Sequence, residues 1–342
     1  MELIPVSKDI PILNKIPVVK RVNNNSSSLI QVSNEPLQFQ QNPFIEANTK
    51  STTLDFLKQE CISPVYASNE LAIAHDKFIE VTQECITEIY PNEKIDLPDI
   101  RCSHLIKGRK TSAIHKKNSE LTEEDITRFY ERLAFVIRIP SIKSNVNGNL
   151  LSLTIGGVRC FNKQNLFRKK SMESFQVFCG FTNTVCTNLT ISTDGYQSCI
   201  KVSSISELKT QIKELIQKYN IDYQIKQFTD FSRQYLSEKQ FAQLVGRAKL
   251  YQFLPKKEKL EIPQLLINDG QISTIAKDYY QDERFCKNEV GNINLWDLMN
   301  LFTSANKSSY IDTFLDRNVN AFDFTKSISK AVNDGSYHWF LS

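Results

Sequence analysis

The chain has 342 residues, 41% of them hydrophobic, and sets 42 Lys and Arg against 38 Asp and Glu. That apolar share is near the ~45% of globular proteins and supports a buried core, while the 10 glycines include no GxGxxG or GxxxxGKS/T pattern, which excludes the familiar dinucleotide and P-loop cradles. No run approaches the ~20 apolar residues of a bilayer crossing, and MELIPVSKDIPILNK lacks a basic n-region and an unbroken apolar stretch, so a cytoplasmic protein with no membrane association is expected.

Residues 1–40 mix proline with VNNNSSS and QFQQN and follow neither a period of 2 nor one of 3.6; they are expected to form a flexible low-complexity tail. Apolar steps of three and four predict helices at residues 54–57 and 71–90, the second stopped by Pro91. Thr122, followed by Glu123, Glu124 and Asp125, reads as an N-cap with acids at the positive end of a helix running through Glu131. From residue 133 to 202 the segments LAFVIRIP, NLLSLTIGGVRCF, FQVFCGFTN, VCTNLTIST and YQSCIKVSS are short and rich in β-branched and aromatic residues, which predicts strands. Asp194-Gly195 is expected to be a type I′ hairpin turn between two of them.

Helical periodicity returns after Ser204, which opens a capping box with Glu207, and again after Ser237, which pairs with Gln240. Further helices are predicted near residues 265–280, 295–302, 309–316 and 321–332. The expected fold is α+β: a mostly antiparallel central sheet at about residues 133–202 and a helical C-terminal half. Residues 204–342 pack on that sheet, either as their own region or as one integrated domain with 41–203.

Charge is unevenly spread. Residues 101–172 hold 15 basic against 5 acidic side chains, in two acid-free stretches at 101–117 and 132–172. Clustered cations displace counterions from a phosphate backbone, which points to DNA or RNA as partner; equally, cations on a sheet keep its edges soluble or meet an acidic partner. KGRK at residues 107–110 reads as a loop, and FNKQNLFRKK at 161–170 mixes cations with Phe161 and Phe167, as single-strand binders do. The candidate nucleic-acid residues are therefore Arg101, Lys107, Arg109, Lys110, Arg159, Phe167, Arg168, Lys169 and Lys170.

Enzymatic signals are sparse. Asp312 and Asp316 share a helix face by their spacing, with Asp323 close in sequence, as a metal-dependent nuclease requires; solvated helix carboxylates account for them equally. Cys102, His104 and His115 could supply three zinc ligands but no fourth. Cys186 lacks a readable activating neighbour. The eight cysteines form no CxxC pair and are expected to be reduced, mostly buried thiols, among them Cys160, Cys179, Cys186 and Cys199 in strand-like segments. Asn300 and Asn306 flank Phe302 and Trp296 and either orient a ligand or tie a helix to the sheet, the tie being the expectation, whereas Asn294 and Asn320 mark helix boundaries. No cofactor, metal or small-molecule substrate is implied.

NPFIEANT (42–49), DIRCSHLIKGR (99–109), YERLAFVIRIPSI (130–142), LTIGGVRCFN (153–162), FTNTVCTNLTISTDGY (181–196), LLINDGQI (265–272), NLWDLMNLFTSANKSSYID (294–312) and the terminal WFLS resemble an uncharacterised domain-of-unknown-function family of Bacteroidetes and their mobile elements. The family implies no activity and transfers no catalytic residue. VCTN (185–188) and NLWDLMNLF (294–302) are similar, more loosely, to phage/plasmid-like proteins of unknown function, which implies a mobile-element setting. The expected function is that of a non-enzymatic accessory protein of a mobile element, binding nucleic acid through residues 101–172. The alternatives are a nuclease using Asp312, Asp316 and Asp323, or a protein–protein adaptor.

Overall fold

A computed structural model describes residues 42–342; the expected tail at residues 1–40 lies outside the described residues. The first elements are β1 (Lys50–Thr52), α1 (Leu54–Glu60), α2 (His75–Ile89) and β2 (Asp99–Arg109). The sheet continues through β3 (Ile126–Val146), β4 (Asn149–Cys160), β5 (Glu173–Asn183), β6 (Leu189–Thr190) and β7 (Tyr196–Val202). Its order is β1-β2-β3-β4-β5, with β6 and β7 both flanking β5, and every pairing is antiparallel. The α+β class and the antiparallel sheet read from the sequence are thus present.

The two-residue alternation of β3 shows why these segments are strands. Leu133, Phe135, Ile137 and Ile139 belong to one core with Phe78 of α2, whose ring meets Phe135 edge-on at 5.0 Å. Ala134 and Val136 belong to a second core with Phe44, Phe314 and Leu315. Both faces of the strand are therefore covered, which accounts for its nearly continuous apolar run. The register slips between Ile139 and Lys143, where Pro140 has no N–H to give to the ladder.

The C-terminal half comprises α3 (Ile205–Lys218), α4 (Ile221–Ser232), β8 (Tyr235–Leu236), α5 (Glu238–Tyr251), α6 (Lys256–Lys259), α7 (Asp269–Gln281), β9 (Ile293–Asn294), α8 (Leu295–Asn306) and α9 (Ile311–Asp334). Leu208, Ile212, Leu215 and Ile216 of α3 enter the α2-side core, as does the fully buried Trp296 of α8, which packs 5.2 Å from Phe228. Helix α9 supplies Phe314 and Leu315 to the other core. The Ser237 capping box forms as expected, while at Ser204 the hydroxyl caps Glu207 but the glutamate reaches one residue further back, to the Ser203 amide.

Several sequence expectations are corrected. The helix expected from Thr122 to Glu131 is a single 3₁₀ turn, Glu123–Asp125, followed directly by β3. The cap is real, since the Asp125 carboxylate accepts from the Thr122 amide and hydroxyl. Beyond it, however, Ile126, Thr127, Phe129 and Tyr130 are β-branched or aromatic and pair with β2. For the same reason KGRK is no loop: Lys107, Gly108 and Arg109 are strand residues opposite Arg128, Thr127 and Ile126.

Asp194-Gly195 lies in a 3₁₀ turn, Thr193–Gly195, and β6 and β7 do not pair with each other. Glycine is required there by crowding: a Cβ on Gly195 would stand 2.1 Å from the Cys179 carbonyl oxygen and 2.8 Å from the Tyr219 ring. The hairpin with both central residues at positive φ is Asn147-Gly148, at 49° and 77°, joining β3 to β4. The two helices expected at 309–316 and 321–332 are one, α9. Asn320 does not break it, because its side chain donates to the Gln264 carbonyl and accepts from the Leu266 amide; Asn294 does cap α8 as expected.

Candidate nucleic-acid interface

The basic segment is built from the free end of β2, the 110–125 connection, and the loop from Phe161 to Met172. β1 covers β2 only at Ile100–Cys102, so among the described residues Ser103–Arg109 is a sheet edge. Lys107 stands exposed there beside Leu105 and Ile106. The Arg109 guanidinium donates to the Lys116 carbonyl and the Asn118 side chain, folding the connection back on the strand, and the Lys110 amide donates to the Asp125 carbonyl. The Lys116 ammonium, foremost, and Thr122 hold the Asp125 carboxyl down to about 2. Arg101 is half-buried and donates to Thr49 Oγ1.

Phe161 closes the end of β4, packing edge-on against Phe129 at 5.2 Å. Past it the chain turns outward, and Phe167 reaches 95% exposure with Arg168 and Lys169 exposed beside it. Phe161 and Phe167, alike in sequence, thus have opposite fates. Leu71 and Met172 are also exposed, an apolar contribution that sequence reasoning missed because Leu71 read as the first turn of α2.

Two of the expected contact residues, Arg159 and Lys170, are held by the buried Glu173. Arg159 is 1% exposed, pairs with the equally buried Glu173, donates to the Ile73 carbonyl, and lies between the rings of Phe161 and Phe175 at 4.3 and 4.4 Å. A guanidinium so enclosed cannot meet a phosphate, so Arg159 leaves the candidate set. Lys170 reaches back to Glu173 at 3.4 Å and to the Leu71 carbonyl at 3.0 Å. Of the 15 cations in the lobe, Lys116, Arg128, Arg132, Arg138, Arg159 and Lys170 have acidic partners. The other nine, with Lys107, Lys110, Arg168 and Lys169 among them, form no ion pair with a described residue, so most of the lobe's positive charge is not neutralised in place.

The carboxylates of the nuclease alternative go to separate places. Asp312 faces Arg132 at 3.7 Å, Asp316 accepts from the Tyr196 hydroxyl, and Asp323 accepts from the Thr193 hydroxyl. Asp323 lines an open groove of about 880 Å³ with Asp230 and Lys326, whereas Asp316 lines a different recess of about 340 Å³ beside Leu265. The three tie α9 to the sheet, and burial together with Asp316 pushes the Tyr196 hydroxyl up.

Among the described residues no group of three His, Cys, Asp or Glu is arranged to hold a metal ion. Cys102 is buried, His104 and His115 are exposed, and burial drives the Cys102 thiol up. All eight cysteines are free; Cys160 and Cys179 are buried as expected, whereas Cys199 is exposed and Cys186 half-buried in the turn after β5. Burial raises the Cys186 thiol, the reverse of what a nucleophile needs.

The VCTN segment owes its shape to a residue that sequence reasoning passed over. Lys307, 6% exposed, donates to the Cys186 carbonyl and to Thr187 Oγ1, which holds the β-branched Thr187 at a φ of 58°. Asn188 donates to the Asn300 carbonyl at 3.2 Å, and Asn306 to the Arg317 carbonyl at 3.0 Å. The asparagines therefore tie helices to one another and to the turn.

A helix-covered antiparallel sheet with an unneutralised basic lobe defines an α+β protein whose candidate site lies on a surface. A family model described as "Domain of unknown function, B. Theta Gene description" (DUF3871) matches residues 26–341. The chain belongs to this Bacteroidetes family. No curated protein and no solved structure matches it.

Proposed function

We propose that the protein binds nucleic acid through the lobe at residues 101–172, without catalysing a reaction, as an accessory protein of a mobile element. The observation that carries this reading is the exposed Phe167 beside Arg168 and Lys169, in a lobe where nine cations have no ion-pair partner among the described residues. Unpaired cations gain most from phosphates because they surrender no existing bridge, and an exposed ring beside them offers a stacking surface. The mobile-element setting is supported by the looser resemblance of VCTN and NLWDLMNLF, and neighbouring mobilisation or recombination genes are its test.

Fluorescence anisotropy with labelled DNA and RNA oligonucleotides at low salt tests the binding. Affinity is expected to fall steeply as salt rises. Absence of binding to every oligonucleotide overturns the reading and leaves an adaptor whose basic lobe meets an acidic protein.

A further inference from the structure

We infer that the loop from Phe161 to Met172 is a preorganised seat for unpaired nucleic-acid bases, with Phe167 as the stacking ring and Lys170 as a positioning residue. This rests on the nucleic-acid reading above and names its substrate class.

The loop is strapped along its length. Tyr66 donates to Gln164 Oε1 at 2.9 Å, the Ala67 amide lies within bonding distance of the Leu166 and Arg168 carbonyls at 3.0 and 3.2 Å, and the Lys170 amide donates to Ser68 Oγ at 3.2 Å. Beneath these straps Glu173, with no exposed side-chain surface, accepts from the Ile73 amide at 3.1 Å through both oxygens and pairs with Arg159. Lys170 joins this buried pair to the surface, since its ammonium reaches both Glu173 and the Leu71 carbonyl. A loop fixed on both sides of its apex holds the Phe167 backbone in one place, so ordering the loop on binding costs little.

The exposed ring selects the ligand. Bases inside a duplex are already stacked on one another, whereas unpaired bases have free faces, and a ring flanked by cations takes the face while the cations take the phosphates. Between Phe161 and Met172 the loop itself carries Lys163, Arg168 and Lys169 and no acidic residue, which matches an anionic strand in charge. An anionic membrane is the competing partner for a basic loop with an apolar tip; the strapped backbone favours the strand, because stacking gains from a loop held in place and insertion into lipid does not.

The full chain and its F167A, F167W and K170M variants test this against oligo-dT, a duplex of equal length, and vesicles of phosphatidylcholine with phosphatidylserine. F167A is expected to weaken oligo-dT binding by roughly 5- to 150-fold, with duplex binding and melting temperature unchanged. In F167W the indole emission is expected to be quenched by oligo-dT, and adding K170M is expected to reduce that quench without lowering the melting temperature. Equal binding of single strands and duplex, untouched by F167A, overturns the inference and leaves the broader reading standing. Loss of all nucleic-acid binding removes both, and vesicle binding that F167A abolishes transfers the loop to lipid. A quench unaltered by K170M overturns the positioning role.

Discussion

Two buried side chains give stability opposing dependences on pH. Asp297, at the start of α8, is 8% exposed, and burial pushes its carboxyl up to about 6 against the pull of Asn294 and Asn147. A folded value above the unfolded one means that its contribution is fully present below about pH 4 and is lost as pH rises through 6. His75, at the start of α2, is fully enclosed; Nε2 lies 2.8 Å from the Tyr130 carbonyl and Nδ1 has no partner, so a second proton would be stranded. Burial and then the Arg159 charge lower its value to about 3, so its contribution is present above about pH 6.5 and is lost as pH falls toward 3. D297N removes the buried charge, and is expected to raise stability at pH 7–8 by about 2–3 kcal/mol at most, the free-energy equivalent of a carboxyl raised from its ordinary value to about 6. His75, together with the Asp125 carboxyl held down to about 2, then weakens the fold toward acid. Urea titrations at pH 4, 6 and 8 check this; a D297N gain equal at all three values contradicts it.

Among the elements, glycine does two different jobs that the sequence presents alike. Gly148 has positive φ and nothing within 4 Å of where a Cβ would lie, so G148A costs only the backbone conformation, about 1 kcal/mol. Gly195 is crowded instead, and G195A is expected to cost about 1–3 kcal/mol through overpacking against Cys179 and Tyr219. Equal losses in chemical denaturation would contradict that division. The same contrast explains what was legible beforehand. Periodic segments with local caps, such as α3 and α5, could be read from residues alone because their bonds lie within a few positions. The expected helix after Thr122 failed because its cap is local while its fate is set by β2, seventeen or more residues upstream in the chain. α9 was read as two helices because Asn320 finds its partners in the 264–266 segment, a contact that no local pattern shows.

Across the whole molecule the charge divides unevenly: residues 101–172 carry 15 basic and 5 acidic side chains, and the remainder 27 and 33. Composition made this asymmetry visible, yet it could not say which cations are engaged by internal partners; Arg159 and Lys107 look alike in sequence and are opposite in the fold. Counterion release counts only cations that meet phosphate, so the salt dependence of binding should map onto the unpaired subset. Replacing Lys107, Lys110, Arg168 and Lys169 with Ala is expected to reduce the log–log salt slope by up to about four contacts, at about 0.7 each on single strands and 0.9 on duplex. Stability should move by less than ~0.5 kcal/mol, as for most surface changes. Lys209 and Lys213, outside the lobe and bridged to Glu84 and Glu88, form the control: their replacement removes positive charge from the molecule but no site for phosphate. If both sets of substitutions flatten the slope equally per charge removed, binding follows net charge and the lobe has no privileged role; if only the first does, the interface lies where the unpaired cations are.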